Sequence, residues 1–477
     1  MEHKSISRNN QNPWVQILLI SALLTSSALF PKESFSELEK IKRPNQYPSP
    51  TVKQPGEREH FDNQPWQENT LAGDLNGLRS SLAHWGVQIE VQYVSILMGN
   101  TRGGFDAGFV GGGPLGVTLT VDTEHLFGWE GGTLFADWEY FNWYSDRFSP
   151  DNSFDPSGSF VGVNTNFIDA QKATLNQLAQ LYYQQSFFDD QFTLAFGKMD
   201  ANVPFLAVEA AAAFQNSIAM YTPTLNAFIP TYPNESTGIV AAIGNEERIS
   251  AKIGWFDGTS AAYDAATGIT GPSTGSRGPE SFFENQGNWW VVAQVDFAWR
   301  LKDHLQGSMG IGAWVQTGLV ATQGTDTEGV SDVPGWYLQW QQTLWSPSQE
   351  ISEDGGGLVY FGQLGWSDPE KNPVHWSLMT GFSATGIIPG RIADAVGLMF
   401  AHTQFTQNTE IYESILIDGT TGPGGGHETS LEAFYIFQWK SWAYFQPGVM
   451  WIHSPGGGSP AALKDDLLLY LLLGVDF

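Results

Sequence analysis

Two acidic residues of this chain have a spacing that could support acid–base chemistry. Asp137 and Glu139 are two positions apart, and a pair of carboxyl groups can hydrolyse a glycosidic bond when one donates a proton and the other acts as base or nucleophile. The surrounding segment, 132–142, alternates between apolar and polar residues, so both side chains would share one face of a β-strand. Acidic neighbours on a strand more often line a pore, which makes a channel the better interpretation than a hydrolase.

No other group of residues in the sequence points to catalysis or to a metal site. Nucleophile-elbow, Walker and EF-hand patterns are not found. The chain has no cysteine, which removes thiolate metal sites, cysteine nucleophiles and disulfides. Most histidines are scattered singly without a partner at ligand spacing: His84, His125, His304, His375, His402, His427 and His453. We therefore expect no cofactor and no enzymatic activity.

Charged and amide side chains alternate with apolar ones in several other segments. In 289–301, Gln294, Asp296 and Arg300 share one face, whereas valines and aromatic residues share the other. A wall with one apolar and one polar side is typical of a membrane strand around a water-filled lumen. We predict that the polar faces line a lumen and its substrate path, unless these side chains only brace the wall through ion pairs. The candidates are Gln88, Glu90, Gln92, Asp137, Glu139, Lys252, Gln294, Asp296, Arg300, Gln339, Gln341 and Glu432.

Segments with this period of two recur along the chain and predict an all-β fold, a transmembrane antiparallel β-barrel of about 16 strands without free edges. Long connections, such as 199–236 and 258–288, are typical of extracellular loops, and the alanine-rich stretch 201–214 is predicted to include a short helix. The predicted strands are 87–97, 115–125, 132–142, 175–187, 191–198, 237–244, 249–257, 289–301, 307–317, 336–344, 358–366, 376–385, 395–405, 428–437, 441–451 and 467–477.

The composition also favours a membrane wall. Charged residues make up only 15% of the chain, against roughly 25% in soluble domains, while aromatic residues reach 14%. After the N-terminus there is no uncharged apolar run of about 18 residues, which argues against a bundle of membrane helices. The net charge of −28 argues against nucleic-acid binding, which needs a basic surface.

The N-terminal region has the pattern of an exported protein. Lys4 and Arg8 precede a short apolar stretch, as in a secretory signal peptide. A polar, proline-rich extension follows, and leucines then recur at helical spacing and predict a short amphipathic helix. The predicted divisions are a signal peptide, a periplasmic extension or linker, an N-terminal helix and the barrel, with bounds 1–30, 31–70, 71–86 and 87–477.

The chain closes on an aromatic residue at the end of an alternating strand. Every odd-numbered position from 467 to 477 is apolar, and the last is Phe477. A terminal aromatic residue is typical of the closing strand of outer-membrane barrels, whereas soluble proteins usually end in a polar tail. We predict that Phe477 is part of the signal read by the barrel-assembly machinery.

Five spaced motifs run in order from residue 71 to the end of the chain. They are LAGDLNGLRSSLAHWGVQIEVQYV at 71–94, AFGKMD at 195–200, GQLGWSDP at 362–369, ATGIIPGRIADAVGL at 384–398 and the closing segment 432–477. Together they resemble the carbohydrate-selective porin family typified by OprB. The resemblance implies a sixteen-stranded outer-membrane channel for sugars, and it adds Arg391 and Asp394 to the candidate substrate path, unless these two residues pair structurally at the start of a strand. Lys198 shares the parity of Phe196, so an inward orientation of this lysine requires a bulge.

The sequence thus predicts a passive porin of the bacterial outer membrane that favours neutral mono- or oligosaccharides. Its expected partners are sugars, outer-membrane lipid and the barrel-assembly machinery, with no nucleic acid, and it would be a monomer or a homotrimer. Two alternatives stay open. One is a secreted all-β carbohydrate-active hydrolase, and the other is a barrel for another solute such as an anion, against which the negative net charge weighs.

Overall fold

The computed structural model describes most of the chain from residue 66 onwards. The predicted signal peptide and nearly all of the predicted extension lie outside the described residues. These are 66–104, 107–143, 159, 175–225, 229–232, 235–245, 248–258, 278–285, 287–302, 304–318, 320–321, 329–348, 356–407, 426–457 and 463–477.

Sixteen strands form one closed antiparallel barrel, in which each strand pairs with the next barrel strand along the chain. They are β1 (Val87–Arg102), β2 (Gly108–Asp122), β3 (Gly132–Trp143), β4 (Leu175–Phe187), β5 (Phe192–Met199), β6 (Ser236–Asn245), β7 (Ile249–Asp257), β8 (Trp289–Leu301), β9 (Leu305–Gln316), β12 (Val333–Trp345), β13 (Gly357–Ser367), β14 (Val374–Thr385), β15 (Ala395–Phe405), β16 (His427–Lys440), β17 (Ala443–His453) and β18 (Asp466–Asp476). A separate hairpin lies between β9 and β12, formed by β10 (Val320–Ala321) and β11 (Gly329–Val330).

The observed barrel confirms the predicted fold class and strand count. Each of the sixteen predicted segments overlaps one barrel strand, and the largest difference is at β2, which starts at Gly108 and not at the predicted residue 115. The β10–β11 hairpin was not predicted, because strands of two residues are too short to show alternation.

The barrel closes where the first strand meets the last. β1 pairs with β18 along a register that runs from Gln92 opposite Asp476 to Arg102 opposite Leu467. The backbone N–H of Phe477 donates to the carbonyl oxygen of Val91 at 2.8 Å, so the pairing continues to the last residue. Closure satisfies the backbone groups that an open sheet would leave unpaired at its edges.

Side chains alternate between an outward apolar face and an inward face, as the sequence indicates. In β18, Leu469 and Leu471 are 44% and 42% exposed, whereas Leu468 and Leu472 are fully buried. The same division holds in β8, where Val295 is exposed and Gln294 is buried. An apolar exterior is the arrangement of a barrel surrounded by lipid.

Lys198 is buried although it shares the parity of the exposed Phe196 in β5. Its neighbour Gly197 has φ of 144°, and a Cβ at that position would collide with the carbonyl oxygen of Leu181. Only glycine tolerates this backbone. Lys198 is buried, and its Nζ donates to the carbonyl oxygen of Leu178 at 2.9 Å. The pairings of β5 with β4 and β6 show no register shift, so the bulge that an inward lysine would require is not observed, and the backbone irregularity next to Lys198 is the positive φ of Gly197.

Helices are short and lie outside the strands. The helix predicted for residues 71–86 is shorter than expected, because Leu75, Asn76 and Gly77 have positive φ and interrupt it. No helix in the described ranges is long and apolar enough to cross a membrane. The α-helices are Trp66–Asn69, Leu78–His84, Thr123–Phe127, Asn202–Phe205 and Pro279–Phe283, and the 3-10 turns are Leu75–Gly77, Glu209–Ala211, Ser217–Ala219, Pro223–Leu225 and Pro455–Gly457.

The two ends of the barrel differ in the length of their connections. At one end, hereafter the short-turn end, the strands are joined by tight connections such as 188–191 and 441–442. The N-terminal helix and Phe477 lie at this end, since β1 starts and β18 finishes there. The opposite, long-loop end carries long connections, including 200–235 and 406–426.

The connection 200–235, here called the inward loop, folds into the barrel. Two clusters of buried apolar residues each combine this loop with the wall. In one cluster, Val208, Phe214 and Ile218 pack with residues of β1 and β13–β18. In the other, Phe205 and Leu225 pack with residues of β3–β9 and β12. The barrel is therefore partly filled by its own chain, and any path through it must run beside this loop.

Candidate functional site

One carboxylate of the wall holds the middle of the inward loop. Glu432, on β16, accepts hydrogen bonds from the backbone N–H groups of Gln215 at 2.6 Å and Asn216 at 2.8 Å. The hydroxyl of Tyr470, on β18, donates to the same carboxylate at 2.7 Å. Glu432 is only 1% exposed. Although it is one of the predicted lumen residues, it lies beneath the loop and anchors it.

Amide side chains on β12 and β13 hold the first part of the loop. Gln339 donates to the carbonyl oxygen of Phe205 at 3.0 Å, and Gln363 donates to that of Leu206 at 2.9 Å. Gln341 accepts from the backbone N–H of Ala210 at 3.2 Å. These bonds satisfy backbone groups that would otherwise be buried without partners. Gln339 and Gln341, both predicted to face the lumen, thus do so and also bind the loop.

Aromatic packing completes the attachment. The ring of Phe214, at the end of the predicted alanine-rich stretch, lies 5.6 Å from the ring of Phe361 and 4.8 Å from that of Phe434. Gly397 leaves the space for this contact, since a Cβ there would collide with both Phe214 and Phe434. Burial of an aromatic side chain contributes roughly 1.5–3 kcal/mol, so the loop is held by apolar as well as polar contacts.

A cavity of about 650 Å³ lies between the inward loop and part of the wall. Its wall side comes mainly from β7, β8, β9 and β12, and its loop side is the segment 203–213. The loop presents mostly small side chains, Ala207, Ala210, Ala212 and Ala213, with the carboxylate of Glu209 among them. The cavity has the size of typical small-molecule sites.

A connected polar row lines the wall side of this cavity. Lys252 on β7 forms an ion pair with Asp296 on β8 at 3.0 Å. Gln294 donates to Asp296 at 2.6 Å, and the hydroxyl of Tyr337 donates to Gln294 at 2.6 Å. Arg300 lines the same cavity. The structure therefore brings together Lys252, Asp296 and Arg300, three of the predicted lumen residues, on two adjacent strands. Lys252 and Gln294 are buried in this row, whereas Arg300 is exposed.

An acidic cluster lies at another part of the wall, where the inward loop leaves β5 and returns to β6. It consists of Asp137, Glu139, Asp200 and Glu235, all buried, with Lys198 nearby. Burial raises the pKa of Asp200 to about 6, and burial together with the charge of Asp200 raises that of Glu235 to about 8. Asp137 and Glu139, two of the predicted lumen residues, are thus buried in this cluster and do not line the cavity that contains Lys252.

Three other predicted residues lie away from the cavity. Glu90, on β1, accepts from Gln88 at 2.9 Å. Arg391 binds Asp394 through two bonds of 2.9 and 2.6 Å, and its guanidinium lies 4.2 Å from the ring centre of Phe437. Phe437 is on the outward face of β16, so this pair braces the short connection between β14 and β15.

The structure also shows groupings that the sequence did not indicate. Glu209, Asp200 and Glu235 come from the inward loop, whose path depends on contacts distant in sequence. His402, His427 and His453 lie next to one another on the outward face, with ring centres 5.3 and 6.1 Å apart, because neighbouring strands bring histidines that are distant in sequence close together. Among the described residues, no three histidine or acidic side chains are placed to hold a metal ion.

Comparison with known proteins identifies relatives that match most of the barrel. A family model described as "Carbohydrate-selective porin, OprB family" matches residues 111–477. Porin B of Pseudomonas aeruginosa is 20% identical over 416 residues, which cover 81% of this chain and 87% of Porin B.

Two solved structures of Pseudomonas putida OprB share the fold. The match to the high-pH structure has a TM-score of 0.71 with 18% identity, and it covers 88% of this chain and 100% of the OprB chain. The match to the low-pH structure has a TM-score of 0.52 with 14% identity, and it covers 86% of this chain and 99% of the OprB chain. At these identities the likeness concerns the fold.

Proposed function

As a member of the carbohydrate-selective porin family OprB, this chain is an outer-membrane porin, and we propose that sugars cross it through the cavity beside the inward loop. The family and the fold are those of channels without enzymatic activity. The short-turn end, with both termini of the barrel, is then periplasmic, and the long-loop end is extracellular. Solute passes from one side of the inward loop to the other without chemical change.

The polar row on β7 and β8 is the observation that carries this proposal. A sugar exchanges hydrogen bonds with water for hydrogen bonds with the channel, and these must be weak enough for release. Lys252, Asp296 and Gln294 offer donors and acceptors side by side, which suits neighbouring hydroxyl groups on a sugar ring. Arg300 adds a planar donor group to the same lining.

The opposite side of the cavity supports the same path. Four alanines of the inward loop line it, and short side chains leave room for a ring to slide past. The anchors at Glu432 and Phe214 hold this surface at a fixed distance from the wall. The inward loop therefore sets the width of the constriction, while the polar row provides the binding groups.

Sugar block of the ion current through single channels tests this path. Asp296→Asn keeps the shape of the side chain and removes its charge, and Glu90→Gln makes the same change on a lumen residue away from the cavity. We expect Asp296→Asn to weaken sugar block by up to about tenfold, equivalent to roughly 1.4 kcal/mol, and Glu90→Gln to leave it unchanged. Equal effects of both variants would exclude the cavity as the sugar path.

We also propose that residues 1–30 direct export and that Phe477 is read by the barrel-assembly machinery. Phe477 extends the β1–β18 pairing, and its carbonyl oxygen accepts a bond from Arg79, but it lies outside the cavity. Deleting Phe477 should lower the amount of protein inserted in the outer membrane and leave the conductance of each inserted channel unchanged. Normal insertion with altered conductance would contradict this role.

A further inference from the structure

The N-terminal segment, residues 66–86, turns several large apolar side chains away from the protein. Leu71, Leu75 and Leu78 are 48%, 46% and 54% exposed, and Trp85 is 61% exposed. By contrast, Arg79 and Ala83, on a neighbouring face of the Leu78–His84 helix, are buried. A helix on a water-soluble surface normally buries its leucines, so this orientation is inverted.

Arg79 and backbone bonds fix the segment in this orientation. The guanidinium of Arg79 donates to the carbonyl oxygen of Phe477 and, at 2.8 Å, to that of Gly73, and it lies over the ring of Trp66. The backbone N–H of Leu71 donates to the carbonyl oxygen of Asp476 at 2.8 Å. The outward leucines are therefore a consequence of how the segment binds the barrel.

The segment runs along the periplasmic rim of the barrel. At one end, the Ser441 hydroxyl in the β16–β17 turn donates to the carbonyl oxygen of Glu68. At the other, the backbone N–H of Asp122, next to the β2–β3 turn, donates to the carbonyl oxygen of Gly86 at 2.7 Å. The segment thus passes below the seam between β18 and β1.

Exposed aromatic side chains lie at the periplasmic rim of the barrel, on both sides of the segment. Trp439, at the end of β16, is 54% exposed, and Phe127 and Trp129, in the β2–β3 turn, are 75% and 64% exposed. Aromatic residues at this height form the interfacial girdle of an outer-membrane barrel. The segment that carries the outward leucines therefore lies between these members of the girdle.

We propose that residues 66–86 lie in the periplasmic leaflet of the outer membrane, with Leu71, Leu75, Leu78 and Trp85 in contact with phospholipid. The polar face of the helix, which includes Ser80 and His84, is exposed on a different side, as expected for a helix in the plane of an interface. The partner is a phospholipid surface. The segment thus forms an interfacial helix, parallel to the membrane plane, next to the β1–β18 pair at which the barrel closes.

Site-specific fluorescence in vesicles tests this contact. The natural chain has no cysteine, so Leu78→Cys, Leu75→Cys and His84→Cys each carry a single attachment point for an environment-sensitive dye. The full-length variants are folded into vesicles of phosphatidylethanolamine and phosphatidylglycerol, and gel mobility before and after heating verifies the barrel. Two quenchers are compared, a nitroxide on the upper acyl chain of the lipid and iodide in water.

The proposal predicts opposite patterns for the two faces. Dyes at positions 75 and 78 should be quenched several-fold more strongly by the nitroxide lipid than by iodide, and the dye at 84 should show the reverse. If the dyes at 75 and 78 have the iodide access of the dye at 84, the segment lies in water. If neither quencher reaches them, protein covers the leucines, either residues 1–65 or a second copy of the chain. Each of these two results would overturn the proposal without affecting the sugar path.

Discussion

Two parts of the inner wall look alike in sequence and have different roles in the structure. On β7 and β8, the inward polar residues Lys252 and Asp296 face an open cavity. On β13 and β16, Gln363 and Glu432 are covered by the inward loop and bind its backbone. Both sets alternate with apolar residues along their strands. The difference shows that the role of a lumen residue depends on where the inward loop is attached.

The covered wall and the open wall also depend on each other. The loop can present a surface of small side chains to β7 and β8 only because its other side is held by Glu432, Gln339 and Phe214. The anchors set the width of the cavity, and the polar row sets what binds there. Changes on the covered wall should therefore affect conductance, whereas changes on the open wall should affect sugar binding.

Removing the main anchor should have the largest effect. Glu432→Ala leaves two buried backbone N–H groups without an acceptor, at a cost of about 1–3 kcal/mol each. We expect the loop to detach, with higher single-channel conductance and a lower temperature for loss of the folded band on gels. Glu432→Gln retains one acceptor oxygen and should be intermediate. Unchanged conductance in Glu432→Ala would show that this contact does not position the loop.

Filling the cavity from the loop side should have the next largest effect. Ala212 lines the cavity and is exposed, so Ala212→Trp should reduce sugar flux into proteoliposomes several-fold while the barrel still folds. Ala251→Trp adds the same side chain on the outward face of β7 and serves as the control. Equal flux in the two variants would mean that sugars do not pass beside this part of the loop.

Raising the pH should weaken the attachment at the acidic cluster by a smaller amount. The pKa values of Asp200 and Glu235, about 6 and 8, lie above the usual carboxyl range near 4. The folded loop therefore binds more protons than the unfolded chain, and its stability falls as the pH rises from about 4 to 8. The temperature at which the folded gel band is lost should fall by a few degrees across this range.

Glu235→Gln provides the comparison for the pH effect. Because glutamine does not titrate, this variant should show a shallower fall than the natural chain, with Asp200, Asp137 and Glu139 still present beside Lys198. A fall of the same size in both proteins would show that Glu235 does not contribute.

The strands of the barrel wall could be predicted from the sequence, whereas the path of the inward loop through the barrel could not. Alternation is a local property, so it correctly indicated strands such as 249–257 and 289–301 and the inward side of Lys252 and Asp296. The inward loop depends on contacts between distant residues, such as Phe214 with Phe434, and no local pattern indicates them. The backbone irregularity at Gly197 was indicated only indirectly. Parity placed Lys198 on the apolar face of β5, which conflicts with the charge of a lysine.

The motif residues Arg391 and Asp394 also show that the sequence does not determine the role of a candidate site residue. The resemblance brought them into the candidate substrate path, but the structure pairs them with each other beside Phe437. A motif shared by a family can stabilise a turn as well as contact a solute. The sequence alone gives no means of separating these roles.

Cysteine accessibility at Ser308 tests the central claim most directly. Ser308 lines the cavity, whereas Ser430 is buried beneath the loop and binds Asn216. In the cysteine-free chain, a thiol reagent should reduce the current through Ser308→Cys channels, and added sugar should slow that reaction. Ser430→Cys should react slowly and without dependence on sugar. If sugar does not protect Ser308→Cys, sugars do not travel between the inward loop and the β7–β9 wall.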